Sequence, residues 1–165
     1  MKTIMGLCGG AEKGLIDFMF DTAVFAAKDN GANVYFAVLR TMNISLTGTG
    51  IADDFTTLLP KIGKCDAIIF ATPSHYDNAD PHIINLIDRL EKYPDALRGK
   101  KAAIIISGKE EPDMCGNEAA EYLKRFCKKH GMDVVDVILA RSNSSGEVTQ
   151  NKELMAHLKE LWKKF

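Results

Sequence analysis

Five short apolar runs recur along the chain, at residues 3–7, 33–39, 67–71, 102–107 and 133–140, each separated from the next by a helical pattern. Four of them are near-continuous rather than alternating, which is how strands buried on both faces read. Between them, Leu15, Phe18, Thr22, Phe25 and Ala26 share one helical face, and Ile51, Phe55, Leu58, Leu59 and Ile62 share a second. Ile83, Leu86, Ile87 and Leu90 form a third stripe, Ala119, Tyr122, Leu123, Phe126, Cys127 and His130 a fourth, and Leu154, Leu158, Leu161 and Phe165 a fifth. Gly31 and Gly131 stand where the first and fourth helices need a residue that tolerates a left-handed turn. Five strands alternating with five helices predict an α/β sandwich of three layers around a parallel sheet. Right-handed crossovers leave few topologies, and the compact one at this length has strand order 2-1-3-4-5.

That order is flavodoxin-like, and the 165 residues are expected to form a single domain of this kind over residues 1–165. In such a sheet, ligands lie at the carboxyl ends of strands 1, 3 and 4. A formal net charge of -1 argues against a nucleic-acid partner or an anionic membrane surface, both of which ask for a basic footprint. No run reaches the ~20 apolar residues of a membrane span, and the first apolar run breaks at Gly9-Gly10, too early for a signal peptide. A cytoplasmic protein is expected. The four cysteines, Cys8, Cys65, Cys115 and Cys127, form no CxxC pair, so neither a zinc knuckle nor a thioredoxin motif is present. Cys65 and Cys127 sit among apolar positions and read as small buried hydrophobes.

Three loops meet at the predicted edge. The first, residues 8–14, is rich in glycine and leads into the first helix, where backbone amides and the helix dipole favour an anion. Lys13 adds a point charge. The loop has no Ser or Thr, and Glu12 brings a charge of the wrong sign. Cys8, at the helix entry, is expected to be a partly exposed thiol of lowered pKa. The second, residues 72–78, ends an apolar run in Pro73, His75 and Tyr76, which can wall a flat ring, while Thr72 and Ser74 can read its polar edge. Asp77 or Asn78 is placed to cap the following helix. His75, Asp77, Asp80 and His82 match no ligand spacing, so no metal site is expected. The third, residues 107–116, is long and charged like a lid, and Gly108 permits close approach to a ligand.

Together these segments resemble the NAD(P)H-dependent FMN reductases and the related iron–sulfur flavoproteins. The run from Lys64 to Pro73 and on to Ile87-Asp88-Arg89 is similar to the family's third strand, flavin-edge loop and following helix. Leu97-Arg98-Gly99-Lys100-Lys101 resembles the entry to its fourth strand, Gly131-Met132-Asp133 the entry to its fifth, and Asp53-Asp54 a feature ahead of its second helix. The family's first loop carries a Ser, a basic residue and a Ser or Thr on the FMN phosphate; here Leu7-Cys8-Gly9-Gly10 and Lys13-Gly14 stand in those places. The cluster cysteines of the iron–sulfur members are missing between residues 40 and 50, so no cluster is expected.

The resemblance implies an oxidoreductase that binds FMN, takes hydride from NAD(P)H and passes electrons to a second acceptor of unknown identity. It implies a homodimer. Cys8, Gly9, Gly10, Lys13 and Gly14 would hold the phosphate. Thr72, Pro73, Ser74, His75, Tyr76, Asp77 and Asn78 would wall the ring, and Ser107, Gly108 and Lys109 would close the other side. No side chain is assigned as a catalytic acid or base, because the chemistry belongs to the cofactor. The alternatives are a flavodoxin-like scaffold that has lost FMN and binds another small anion or a protein partner, and an electron carrier without a nicotinamide site.

Overall fold

The computed structural model describes the backbone of residues 1–165 and all side chains except that of residue 112. In chain order the elements are β1 (Thr3–Cys8), α1 (Leu15–Asp29), β2 (Asn33–Val38), α2 (Phe55–Lys64), β3 (Ala67–His75), β4 (Asn78–Ala79), α3 (Pro81–Leu90), β5 (Lys101–Gly108), α4 (Asn117–Lys129), β6 (Asp133–Arg141), α5 (Ser145–Gln150) and α6 (Lys152–Glu160). The five long strands are parallel in the order β2-β1-β3-β5-β6, which is the expected 2-1-3-4-5 when the long strands alone are numbered. The sixth strand, β4, was not foreseen; its two residues run antiparallel to the end of β3.

Side-chain alternation explains the continuous apolar runs. Ile68 and Phe70 of β3, with Met5 and Leu7 of β1 and Ile104 and Ile106 of β5, face α2, α3 and α4. Ile69 and Ala71, with Ile4, Ala103 and Ile105, face α1 and α6. A period of two sends successive residues to opposite faces, and helices cover both, so every position must be apolar. The two edge strands depart: β2 exposes Tyr35 and Phe36, and β6 carries Asp133, Asp136 and Arg141 and is half-buried along much of its length. Gly31 and Gly131 take positive φ after α1 and α4, as anticipated. Three helical readings shift. The buried face of α1 is Ile16, Met19, Phe20, Ala23, Val24 and Ala27, one position on from the expected stripe of Leu15, Phe18, Thr22, Phe25 and Ala26, and Phe25 is exposed. Ile51 is exposed and lies ahead of α2, which starts only at Phe55, and the final apolar stripe is carried by α6 and a short 3-10 turn. Among the described residues, no helix is long and apolar enough to cross a membrane.

The connection between β2 and α2 is long, and charge fastens it to α3. Arg89 donates to the Ser45 carbonyl at 2.7 Å and pairs with Asp53 at 2.5 Å, while its guanidinium lies 4.4 Å from the centroid of the Phe55 ring. The Asp53 carboxylate also accepts from the Ser45 amide at 2.7 Å, and that of Asp54 from the Asn43 amide at 2.7 Å. These bonds give the Asp53-Asp54 pair its structural reason. The bond from Arg89 holds the Asp53 carboxyl below its ordinary value, against the opposing push of burial. Since the folded-state value is depressed, the pair's stabilisation is present above the unfolded carboxylate range and fades as pH falls through the folded value. Arg89→Met leaves the wholly buried Asp53 side chain without its cation and should cost about 3 kcal/mol at neutral pH. In urea melts, the gap from wild type should narrow as the pH drops below about 4.

Candidate functional site

β1, β3 and β5 end side by side, with Cys8 level with Ala71 and Pro73 level with Ser107. Beyond β1 the chain continues one more rung, the Gly9 amide donating to the Ala71 carbonyl at 2.8 Å. A Cβ on Gly9 would stand 2.5 Å from Cγ1 of Ile83, so only glycine can pass over the first turn of α3 here. Gly14 caps α1. Its amide donates to Asp17 Oδ2 at 2.9 Å, and the other oxygen of that buried carboxylate accepts from Arg40 Nη2 at 2.7 Å. The amides of residues 11–13, 15 and 16 have no acceptor among the described residues. The loop therefore offers unpaired N–H groups at a helix amino end, the arrangement that receives a phosphate. Ala11, Glu12, Lys13 and Gly14 are exposed.

Cys8 departs from expectation. Its side chain packs into the core beside α1, and its Sγ–H points to the Gly9 carbonyl at 3.4 Å. Burial, followed by the negative charge of Asp17, pushes the thiol up to about 12, so the helix end activates no thiolate. Cys8 brings backbone to the site and no reactive group.

The segment from Thr72 to Asn78 is a hairpin rather than an open loop. β3 runs on to His75, the chain reverses over Tyr76 and Asp77, and β4 returns with His75 opposite Asn78 and Ser74 opposite Ala79. Both turn residues have positive φ, 50° and 61°, the twist a two-residue reversal between strands requires. Each non-glycine residue held there costs on the order of 1 kcal/mol. Neighbours repay this. Asn78 Nδ2 donates to the Tyr76 carbonyl at 2.9 Å, the Ala119 amide of α4 donates to the Asp77 carbonyl at 2.9 Å, and Cys115 Sγ lies 3.5 Å from the Asp77 carboxylate. Tyr76 is 76% exposed at the tip, and His75 is also exposed.

Other side chains of this segment are occupied or turned inward. Thr72 is fully buried; its hydroxyl donates to the Pro73 carbonyl at 2.9 Å and accepts from the Asp80 amide at 2.9 Å, so it is not free to read a ligand. The Ser74 hydroxyl is buried and has no partner among the described residues. Asp80, rather than Asp77 or Asn78, caps α3. Its carboxylate, 1% exposed, accepts from the His82 amide at 2.9 Å, bonds the His82 ring at 2.7 Å and lies 3.6 Å from His75 Nε2. Burial alone would raise this carboxyl; the His82 amide and ring and the Gly10 amide outweigh it and hold it below the usual range.

In the third loop, a Cβ on Gly108 would meet the Cys115 carbonyl oxygen at 2.3 Å. Gly108 thus permits the close approach of its own chain at Cys115. The Lys109 amide bonds the Met114 carbonyl at 2.9 Å, its side chain is exposed, and Ser107 is buried beside Pro73. The edge also holds four residues that the sequence reading did not assign to the cofactor: Asp17, Arg40, Asp80 and His82. Gly14 followed by an acid three residues on is the one signal that could have found Asp17. Arg40 is brought in only by topology. Among the described residues, no group of three His, Cys, Asp or Glu is placed to hold a metal. Burial also raises Cys65 to about 11 and Cys127 to about 12. Cys8, Cys65 and Cys127 should therefore stay unlabelled by a disulfide reagent in the native protein at neutral pH and react once guanidinium unfolds it; labelled peptides read by mass spectrometry would check this.

Comparison with known proteins agrees with this geometry. The profile of the NADPH-dependent FMN reductase family matches residues 2–146. An NAD(P)H-dependent FMN-containing oxidoreductase of Bacillus subtilis (strain 168), YwqN, is 22% identical over 123 residues, spanning 69% of this chain and 68% of that protein. Among solved structures, RosB with a bound 8-demethyl-8-formylriboflavin-5′-phosphate intermediate superposes with a TM-score of 0.82 at 13% identity, covering 99% of this chain and 77% of that one. Oxidised flavodoxin 1 of Bacillus cereus superposes with a TM-score of 0.69 at 14% identity, covering 98% of this chain and 95% of that one. At such identities the two structures speak for the fold. The family match speaks for the chemistry: the chain belongs to the NADPH-dependent FMN reductases, flavodoxin-like oxidoreductases that work with FMN and a nicotinamide.

Proposed function

We propose that FMN binds at the carboxyl edge of this sheet, in one flavodoxin-like unit comprising the whole chain, and that electrons leave it for a second acceptor. The observation that carries the placement is the row of unpaired amides at the start of α1 standing beside an exposed His75-Tyr76 tip. Residues 9–14 supply backbone N–H groups and Lys13 to the phosphate. Gly9 and Gly10 keep the cradle open, since a Cβ at Gly9 would collide with α3. His75 and Tyr76 flank the ring, Pro73, Ser74, Asp77 and Asn78 frame it through the hairpin backbone, and Ser107 to Lys109 border the other side. Cys8 and Thr72 take part through main chain alone. Bound FMN supplies the centre that accepts hydride from the nicotinamide. The protein orients the two rings and limits the approach of water.

Tyr76 stands free on one chain, so a second copy would complete the wall, and a homodimer follows from this reading. A cytoplasmic setting suits the four free, buried thiols. The specific observation on the side of the rival reading, a scaffold for some other anion, is the hydroxyl-free first loop.

The visible spectrum after addition of FMN and desalting tests the proposal. Retained flavin bands that bleach with NAD(P)H are expected; a colourless protein would favour the rival. His75→Ala and Tyr76→Ala should each weaken FMN binding about three- to tenfold, the worth of one aromatic contact. Unchanged affinity in both would remove the ring from the hairpin.

A further inference from the structure

Arg40 follows β2 by two residues, and the end of β2 lies level with the end of β1, Val38 opposite Cys8. Its guanidinium therefore stands at the carboxyl edge beside the first loop, although 26 residues of sequence separate it from Gly14. One terminal nitrogen is used: Nη2 donates to Asp17 Oδ1 at 2.7 Å. The other, Nη1, is buried and has no partner among the described residues. A guanidinium presents its donors as a planar fork suited to oxyanions, and a charged donor left buried without an acceptor is costly. The same Asp17 carboxylate that holds Arg40 also accepts the Gly14 amide, so one buried side chain ties the cation to the cradle.

We propose that Arg40 is the cation that grips the flavin 5′-phosphate, held in place by Asp17, and that it takes over from the loop hydroxyls this chain lacks. The proposal rests on FMN binding at this edge. Lys13 and Glu12 are exposed and opposite in charge, so they leave little net attraction at the loop. Arg40 is the partly buried charge there with donor capacity to spare. Asp17 acts as a positioning residue: it aligns the guanidinium and, by taking the Gly14 amide, sets the mouth of the cradle.

Titration of the apoprotein with FMN and with riboflavin, followed by flavin fluorescence, tests this, since the two ligands differ only in the phosphate. Wild type should prefer FMN. Arg40→Gln should lose FMN affinity about ten- to a hundredfold, the worth of a hydrogen bond to a charged group, and keep its riboflavin affinity within about twofold. Arg40→Lys should fall between them. Equal losses for both flavins, or no loss for either, would overturn the proposal by making Arg40 merely structural. A change confined to the preference for NADPH over NADH would overturn it by giving Arg40 to the nicotinamide's phosphate. If Arg40→Gln fails to fold, Arg40→Lys decides, and an unchanged FMN-to-riboflavin ratio there counts against it. Wild type that binds neither flavin defeats the proposed function itself. Wild type that prefers FMN beside a variant that does so equally defeats the role of Arg40 alone.

Discussion

Asp80 carries a charge where almost none of it meets water, and the carboxyl edge is arranged around that fact. A buried carboxylate must be met by donors or lose its charge. Here the donors are the amide and ring of His82 at the head of α3. Its own amide reaches back to Thr72 at the exit of β3, and His75 of the hairpin stands just beyond bonding distance. One residue thus ties the exit of β3 to the head of α3, with the hairpin close at hand. The sheet brings these pieces to one edge; Asp80 sets how strand, helix and hairpin meet there.

A second buried carboxylate, Asp17, does comparable work at the other end of the first loop. Asp17 engages the Gly14 amide and leaves the amides of residues 11–13 open. This differs from a loop whose own hydroxyls surround the phosphate. Shape comes from carboxylates outside the loop, and each carboxylate has a cationic or protonatable side chain beside it, Arg40 for one and His82 for the other. A loop without Ser or Thr can therefore remain ordered. A partly buried cation, Arg40, stands beside it from the turn after β2.

The layers and strand order were legible because burial on both faces makes the middles of β1, β3 and β5 continuously apolar, and the crossover rule then permits little else. Two of the terminal glycines, Gly31 and Gly131, were legible for a similar reason, as positions where the backbone must turn left-handed. The hairpin was not. Turns of its kind announce themselves by Asn-Gly or Asp-Gly, and here Tyr76 and Asp77 occupy the turn with strain that α4 absorbs. The state of Cys8 was misread because its place next to a helix start suggested activation, whereas the pleat of β1 points the side chain into the core. Gly108 was rightly seen as a point of close approach, but sequence cannot say that the approaching atom is the carbonyl of Cys115. Arg40 and Asp80 act through partners distant in sequence or through burial, and neither leaves a local pattern.

Asp77 belongs to two structures at once. It is the far side of the hairpin turn, and its carbonyl is also the acceptor that satisfies the Ala119 amide in the first turn of α4. Rotating the peptide that follows Asp77 to suit a bound ring would withdraw that acceptor and leave a helix end open. The helix is rooted by Leu123 and Phe126 in the core under β3 and β5, so it resists being dragged along. The shelf on which the ring is proposed to rest is therefore braced from behind. Substitutions in the first turn of α4, remote from any ligand, are substitutions in the stiffness of the site.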